Sequence, residues 1–301
     1  MKSSRGAKWQ AAKFMKLSVI IPCCNAASTI AVQLDALGNQ CWAESWEIIV
    51  ADNRSADDSR STVKRYQDRL PNLRMVDAFD RQGQPYALNT GARAAGSDAL
   101  AFCDAGDEVG VGWVEAMGEA LSKHDFVACR YDIEKLNTPW VQRSHANPQR
   151  DGLNHYKYPP YLPHAGGGGL GVKRVLHEAV GGFDESLPFL HDTDYCWRLQ
   201  LMGVALHFVP NAVLHVRYRD SLRGIYRQAR NYGEYNVILY KRYQPLGMPR
   251  LSRGAGLIAW WRLLQRLPQL RHKEDVARWM WHLGWRTGRL AGSLKQRVFA
   301  L

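Results

Sequence analysis

Short apolar runs alternate with segments of helical periodicity along the first half of the chain, and this alternation limits the possible folds more than any other feature. The runs LSVIIP, WEIIVAD, RMVDAF and DALAFCD are typical of buried strands, and a stretch of helical period follows each of them. In the first such stretch, Ile30, Leu34 and Leu37 share one face. Repeated strand-helix-strand units predict an α/β fold with a mostly parallel, twisted sheet flanked by helices.

The alternation breaks after residue 135. Residues 136–171 are rich in Pro, Tyr, His, Asn and Gly, and a loop of this length inside a compact domain predicts a functional segment. Beyond it we expect a helix over 192–202, two short strands in ALHFVP and AVLHV, and a long helix over 222–243.

Composition excludes several classes of protein. The 301 residues are 46% apolar, which suits one large or two modest folded domains. Six cysteines without a CxxC pair argue against a disulfide framework or a zinc site and suit a reducing compartment. The apolar run after the basic residues 1–16 is too short for a signal peptide or a membrane span. A cytoplasmic protein that does not cross a membrane is expected.

Positive charge is concentrated at the C-terminal end. Of a net charge of +12, residues 250–301 contribute eleven Lys or Arg against two acids, Glu274 and Asp275, and they also contain five tryptophans. Interleaved Arg and Trp on helices is typical of binding to an anionic lipid surface, and a pair of basic helices packed on the core is the structural alternative. No groove-reading motif supports a nucleic-acid partner. We expect peripheral binding to the inner face of a membrane.

Polar residues cluster at the predicted strand ends. Asn25 follows the first strand, DNRSADD includes the end of the second, and DAGDE follows the fourth. The carboxyl ends of parallel strands meet at one crevice, where open α/β sheets bind ligands. Neither GxGxxG nor GxxxxGK[ST] occurs, so a Rossmann dinucleotide site and a P-loop are both excluded.

Five segments together resemble one enzyme family. LSVIIPCCNAASTI, WEIIVADNRSADDS, GQPYALNTGARAAGSDALAFCDAGDEV, GGFDESLPFLHDTDYCWRLQLMG and LRGIYRQARNYGEYN have the order and spacing of the family 2 glycosyltransferases, which have the GT-A fold. The resemblance implies a basic leader over 1–16, a transferase domain over 17–249 and a basic helical tail over 250–301. Within the domain, 17–135 would bind the nucleotide sugar, and 136–249 would bind the acceptor and carry the base.

The resemblance also implies an activity and its residues. The expected reaction is inverting transfer of a sugar from a nucleoside diphosphate to a hydroxyl acceptor, such as a lipid-linked acceptor or an envelope glycan. Asp192 matches the catalytic base, which must come within roughly 3 Å of the hydroxyl. The donor-binding set is Pro22, Asn25, Asp52, Asn89, Gly91, Asp104, Gln228 and Arg230. Asp104, Asp107 and His215 are the candidate ligands of Mn²⁺ or Mg²⁺, which would neutralise the leaving diphosphate.

Two positions depart from the family pattern. Gly106 stands where the second acid of the DxD motif is usual, and His191 stands where an acid often precedes the base. Three routes stay open: Asp107 or Glu108 supplied from a turn with positive φ at Gly106, cation binding through water at Asp104, or a metal-free site neutralised by Arg230. The departures also motivate an alternative, a degenerate protein that binds a nucleotide sugar or a partner without turnover.

Several of these features also have a purely structural explanation. Asp52 and Asp104 could be ordinary loop acids, and Asp192 could be a helix N-cap. The glycine run over 165–171 either brings backbone close to the donor sugar or acceptor, or is a flexible turn. In a third reading the sheet is only the scaffold of a membrane-binding module.

Overall fold

One mixed sheet organises the chain. The computed structural model describes residues 16–156 and 159–300, so the leader predicted over 1–16 lies outside the described residues except for Lys16. In the described part the sheet has eight strands in the order β3-β2-β1-β4-β7-β6-β8-β5. The strands are β1 (Leu17–Cys23), β2 (Trp46–Asp52), β3 (Leu73–Asp77), β4 (Ala99–Phe102), β5 (Glu108–Val109), β6 (Phe126–Asp132), β7 (Leu170–Lys173) and β8 (His207–His215).

Helices cover both faces of the sheet. They are α1 (Ile30–Gly38), α2 (Ser59–Gln67), α3 (Gln84–Ala94), α4 (Trp113–Lys123), α5 (Pro139–Ser144), α6 (Arg174–Ala179), α7 (His191–Leu201), α8 (Leu222–Tyr243), α9 (Arg253–Gln265) and α10 (Lys273–Gln296). Alternate residues of β1 enter opposite cores, because Val19 and Ile21 pack with Leu34 of α1, whereas Ile20 packs with Leu88 of α3. The predicted α/β class is confirmed.

The first half of the sheet is parallel, as expected. Strands β3, β2, β1 and β4 run parallel, and the register pairs Cys23 with Asp52 at one edge. The second half is mixed: β7 runs antiparallel between β4 and β6, β8 is parallel to β6, and β5 pairs antiparallel with β8.

One strand prediction was wrong in the second half of the sheet. The two short strands expected in ALHFVP and AVLHV are one strand, β8, whose register against β6 shifts between Cys129 and Arg130. Pro210 and Asn211 interrupt the apolar pattern, so the single strand looks like two. The four-residue β7 and the two-residue β5 are too short for periodicity to reveal. The helix expected over 222–243 is α8.

The C-terminal segment packs closely on the domain. Glycines at every fourth position of α10, Gly284, Gly288 and Gly292, lie against the backbone of α8, and Gly233 of α8 lies against α10. A Cβ at Gly292 would stand 2.8 Å from the Glu234 carbonyl oxygen. Of the two helices in the structural alternative, α10 therefore packs on the domain through α8. No helix in the described part of the chain is both long and apolar enough to span a bilayer.

Candidate active site

Asp52 closes β2 at the carboxyl edge of the parallel strands. Its side chain is 1% exposed, and Oδ2 accepts a hydrogen bond from the Arg60 guanidinium at 2.9 Å. Within the described residues, the buried Oδ1 has no hydrogen-bond partner. An unpaired buried acceptor is costly, so this oxygen suits a ligand that brings an N–H or O–H donor.

Asn25 ties the loop after β1 to the loop after β2. It has a positive φ of 52°, its Oδ1 accepts from the Ala56 backbone amide at 2.8 Å, and its own backbone amide donates to Ser55 Oγ at 3.0 Å. Pro22 is buried in β1 opposite Ala51. These two predicted donor-site residues shape the wall beside Asp52.

Asn89 and Gly91 position α3. The Asn89 amide donates to the Phe183 carbonyl at 2.9 Å and to Glu185 at 3.0 Å, and its oxygen accepts from the Phe183 amide at 2.9 Å. A Cβ at Gly91 would meet Ile20 Cγ2 at 2.5 Å. The polar groups of Asn89 are thus engaged with the loop before α7, and Gly91 allows α3 to approach β1.

The turn after β4 is held by two glutamines. Gln33 of α1 is fully buried; its Nε2 donates to the Asp104 carbonyl at 3.1 Å, and its Oε1 accepts from the Val109 amide at 2.9 Å. Gln84, at the start of α3, donates to Asp104 Oδ1 at 2.8 Å. The two contacts of Gln33 fix both ends of the segment 104–109, and Gln84 orients the carboxylate.

Asp107 is buried behind the same turn. Its Oδ1 accepts from the Arg217 amide at 2.9 Å, and Arg217 Nε donates to the Gly106 carbonyl at 3.1 Å. Gly106 does not have a positive φ, so the displaced turn expected from such a conformation is not observed. Glu108 pairs with Lys135. Nothing lies within 4 Å of a Cβ built at Gly106, so the backbone there can accept a side chain.

Burial and neighbouring carboxylates disfavour ionisation of the two carboxyl groups of this turn. Burial and the nearby Asp192 carboxylate raise the pKa of Asp104 to about 6. Burial and Asp104 raise the pKa of Asp107 well above its usual range, although the Arg217 amide opposes this. Bringing a cation or another positive group to this turn would relieve both effects.

His215 lies at the end of β8 and pairs with Asp132, with Nδ1 2.5 Å from the carboxylate. Its strand neighbour is Glu108 of β5. The described residues contain no group of three or more His, Cys, Asp or Glu side chains arranged to hold a metal ion. The predicted ligands Asp104, Asp107 and His215 therefore do not form such a group by themselves.

The glycine run separates Asp104 from Asp192. A Cβ at Gly168 would stand 3.1 Å from Asp104 Oδ2, and one at Gly167 would stand 3.3 Å from Asp192 Cβ. A Cβ at Gly169 would stand 2.7 Å from Cys129 Sγ. The backbone therefore passes close to both acids at these positions, which form a 3₁₀ turn between them, and a side chain there would have to displace its neighbours.

Asp192 lies in the first turn of α7. Its Oδ2 accepts from the Gly167 amide at 3.0 Å, and its Oδ1 accepts from the Thr193 amide at 2.7 Å. Leu190, just before the helix, has a positive φ of 58°, a left-handed conformation that is strained for a residue with a Cβ. The glycine turn and this strained entry hold Asp192 beside Asp104.

His191 is 6% exposed, and neither ring nitrogen has a hydrogen-bond partner in the described part of the chain. Burial lowers its pKa, which favours the neutral ring.

Asp194 has a different, structural role: it is fully buried and accepts from Arg198 at 2.7 Å, Arg242 at 2.6 Å and Tyr243 at 2.8 Å, which ties α7 to α8.

Helix α8 contributes Gln228, Tyr232 and Arg230, of which Tyr232 lies near Asp192. Gln228 donates to the Tyr232 hydroxyl at 3.3 Å, and burial together with Asp192 raises the pKa of Tyr232 to about 12. Arg230 has an exposed side chain, and its backbone lies against Gly284 and Gly288 of α10. Gln228 thus lies near Asp192 through its hydrogen bond with Tyr232. The Arg230 backbone, by contrast, is part of the interface with α10.

Sequence reasoning missed three residues of the site: Gln33, Gln84 and Arg217. Gln33 gives a detectable signal, because it is a polar residue on the apolar stripe formed by Ile30, Leu34 and Leu37. Gln84 and Arg217 give none, since their roles depend on how α3 and the end of β8 meet the turn after β4.

Comparison with known proteins identifies the family. A model of glycosyl transferase family 2 matches residues 18–181. YibD of Escherichia coli K12, described as an uncharacterized glycosyltransferase, is 31% identical over 128 residues, which are 42% of this chain and 35% of that protein. The pre-mycofactocin glycosyltransferase of Mycobacterium tuberculosis is 25% identical over 268 residues, which are 81% of this chain and 52% of that protein. The chain thus spans about a third to a half of these two relatives.

A third relative and two solved structures extend the comparison. The E. coli UDP-Glc:alpha-D-GlcNAc-diphosphoundecaprenol beta-1,3-glucosyltransferase WfgD is 26% identical over 186 residues, 62% of this chain and 69% of that protein. Mannosyltransferase PcManGT from Pyrobaculum calidifontis, solved with GDP-Man and Mn²⁺, has a TM-score of 0.59 at 19% identity, covering 93% of this chain and 75% of that one. Staphylococcus aureus TarS with UDP-GlcNAc gives 0.55 at 14%, covering 95% and 93%. These structural likenesses show the GT-A-like fold.

Proposed function

Because this chain belongs to glycosyl transferase family 2, we propose that it transfers a sugar from a nucleoside-diphosphate donor to a hydroxyl acceptor with inversion. The single observation that carries the proposal is the pair Asp104 and Asp192, which face each other across a buried glycine turn. An ordinary loop acid or a simple N-cap does not explain that proximity.

The donor would occupy the crevice from Asp52 to Asp104. Asp52 Oδ1 is a buried acceptor suited to an N–H of the nucleotide base. The hard carboxylate oxygens of Asp104 and Asp107 would hold Mn²⁺ or Mg²⁺, and such a cation would neutralise the charge that develops on the leaving group. Arg217, held against the Gly106 carbonyl, brings a guanidinium to the same place.

The acceptor would approach from the side of Asp192. Its hydroxyl oxygen forms the new bond to the anomeric carbon while the bond from that carbon to the diphosphate oxygen breaks, and its proton passes to the Asp192 carboxylate. The Gly167 and Thr193 amides fix that carboxylate. Tyr232, with its hydroxyl near Asp192, lies where a sugar ring of the acceptor can be contacted.

Turnover separates this proposal from the non-catalytic alternative, which Gly106 and His191 motivate. The chain is incubated with UDP-, GDP- and dTDP-sugars and Mn²⁺, and release of the nucleoside diphosphate is measured. Asp192→Asn should lower the rate by at least about 100-fold and leave nucleotide affinity within about twofold. Asp35→Asn, an exposed carboxylate of α1, is the matched control. Nucleotide binding without turnover of any donor would favour the alternative, and wild-type turnover by Asp192→Asn would remove the base assignment.

Helix α9 supports peripheral membrane attachment, and with it a lipid-linked acceptor. Ile258, Trp261 and Leu264 form an exposed apolar row on α9, each at least half exposed. No acid occurs over 246–272, which contains five arginines, so the surface complements anionic lipid. By contrast, Trp281 contacts Tyr232, with ring centroids 6.0 Å apart, and so takes part in packing.

Sedimentation with vesicles tests this attachment in the full chain. The double substitution Trp261→Ser/Leu264→Ser should abolish binding to phosphatidylglycerol vesicles, whereas Leu294→Ser, which removes an apolar side chain of α10 that is 73% exposed, should not. Equal binding by both variants would rule out docking through α9. Because these residues lie outside the crevice, the result does not bear on sugar transfer.

A further inference from the structure

Helices α9 and α10 enclose a groove of about 170 Å³. Its lining is Ala259, Arg262, Leu263, Arg266, His282 and Arg286. The residues from α9 and its C-cap Arg266 recur at spacings of three and four, and the two α10 residues are four apart, so each set forms one face of its helix. The Trp279 indole donates to the Leu263 carbonyl at 2.9 Å, which holds the two helices together beside the groove.

The charges in this groove are uncompensated. In the described part of the chain, Arg262, Arg266 and Arg286 make no ion pair, and the two acids of the same segment are engaged elsewhere, Glu274 with Arg143 and Asp275 with Arg278. Burial, Arg266 and Arg286 together lower the pKa of His282. Like charges that share a groove repel each other, and a bound anion would remove that repulsion.

We propose that the groove binds a phosphate group through the guanidinium groups of Arg262, Arg266 and Arg286. Guanidinium offers paired N–H donors that match phosphate oxygens, and three such groups on two helices surround one small anion. Carboxylates that would repel the anion do not line the groove. The site is separate from the proposed transfer crevice and goes beyond the proposed function.

The helical spacing constrains the source of the phosphate. At about 100° per residue, Arg262 and Arg266 lie roughly 120° around α9 from the centre of the row Ile258, Trp261 and Leu264. With the apolar row in a bilayer, the groove would therefore open beside the helix, near the level of the headgroups. A free phosphate compound and a lipid headgroup that projects from the surface present the same chemistry there, and the experiment distinguishes them.

The first arm follows the arginine Nε–H resonances of the full chain by NMR during titration with inorganic phosphate. The groove variant Arg262→Gln/Arg266→Gln is compared with Arg250→Gln/Arg271→Gln, which removes the same charge from two exposed residues of the same segment. Phosphate affinity should fall at least about tenfold in the groove variant and change less than about twofold in the control. Ala259→Leu narrows the groove at constant charge and should also weaken binding. Far-UV circular dichroism of each variant reports whether the fold is intact.

The second arm measures sedimentation with phosphatidylglycerol and with phosphatidylcholine vesicles. If the groove variants lose the resonance shifts that phosphate causes but still bind vesicles, the ligand is a soluble phosphate compound. Loss of vesicle binding in the groove variants alone identifies a lipid headgroup. If the groove and control variants lose both properties equally, or neither loses any, the arginines act only as general positive charge and the proposal is overturned.

Discussion

At the scale of single residues, the surroundings of the Asp104 carboxyl have an effect on stability that can be measured directly. Its carboxylate accepts from Gln84, lies next to Gly168 and is influenced by Asp192. The sequence places Asp104 at a strand end, and strand order then predicts its proximity to the end of β2. Its proximity to Asp192 depends on the glycine turn, which periodicity does not reveal.

Asp104→Asn should stabilise the protein above pH 6 and not below pH 4. The folded-state pKa of about 6 lies above the ordinary value of about 3.9, so the native protein gains stability from the bound proton at low pH and loses it as pH rises through this interval. Asparagine imitates the protonated form and still accepts from Gln84. Melting temperatures at pH 4 and pH 8 check this, and Asp35→Asn should show no such difference. An equal gain at both pH values would contradict the assigned cause.

At the scale of elements, the site depends on contacts that cross between helices and strand ends. Periodicity correctly predicts β1, β2, α8 and the inward face of α1, because each has enough apolar residues to repeat. The short strands β5 and β7 are fixed by their neighbours, since β5 pairs with the end of β8 and β7 fills the gap between β4 and β6. Their formation therefore depends on tertiary structure, and local sequence does not predict it.

Gln33→Leu should destabilise the protein by about 1–3 kcal/mol, because it leaves the Asp104 carbonyl and the Val109 amide without their buried partner. Leucine is comparable in volume, so the loss reports the hydrogen bonds. Denaturant titration measures the stability, and donor affinity should fall in parallel because the turn over 104–109 is released. The control is Gln40→Leu, which removes contacts with the Ala36 and Gly110 carbonyls and with the Val114 amide and leaves that turn's own contacts intact. Unchanged donor affinity in Gln33→Leu would contradict a positioning role.

Gly288→Ala should destabilise the protein by about 1–3 kcal/mol, because the added Cβ meets the Arg230 carbonyl and stands 2.9 Å from the Glu234 amide nitrogen, both of them backbone. Gly254→Ala in α9 is the control: nothing lies within 4 Å of its Cβ, so only the gain in helix propensity is expected. Chemical denaturation of both variants measures the difference. Stabilisation by Gly288→Ala would contradict the close packing of α8 on α10.

At the scale of the whole molecule, the basic C-terminal segment combines two roles. Helix α10 closes the domain against α8, and Trp285 lies near Tyr156, with ring centroids 6.3 Å apart. Helix α9 presents the exposed apolar row. Charge and tryptophan content suggest a membrane-binding tail, but the spacing of Gly284, Gly288 and Gly292 indicates instead that α10 is part of the folded body. Removal of 250–301 would therefore disturb the fold as well as any membrane contact.

Calorimetric binding of UDP, GDP and dTDP, with and without Mn²⁺ and beside Asp104→Ala, shows whether the crevice is a nucleotide site. We expect one nucleotide to bind to the wild-type chain, and its affinity to fall about tenfold or more when either Mn²⁺ or the Asp104 carboxylate is removed. Wild-type affinity in Asp104→Ala would contradict the role of the turn after β4. Absence of binding for all three nucleotides, in a protein that is folded, would contradict the nucleotide-sugar site itself.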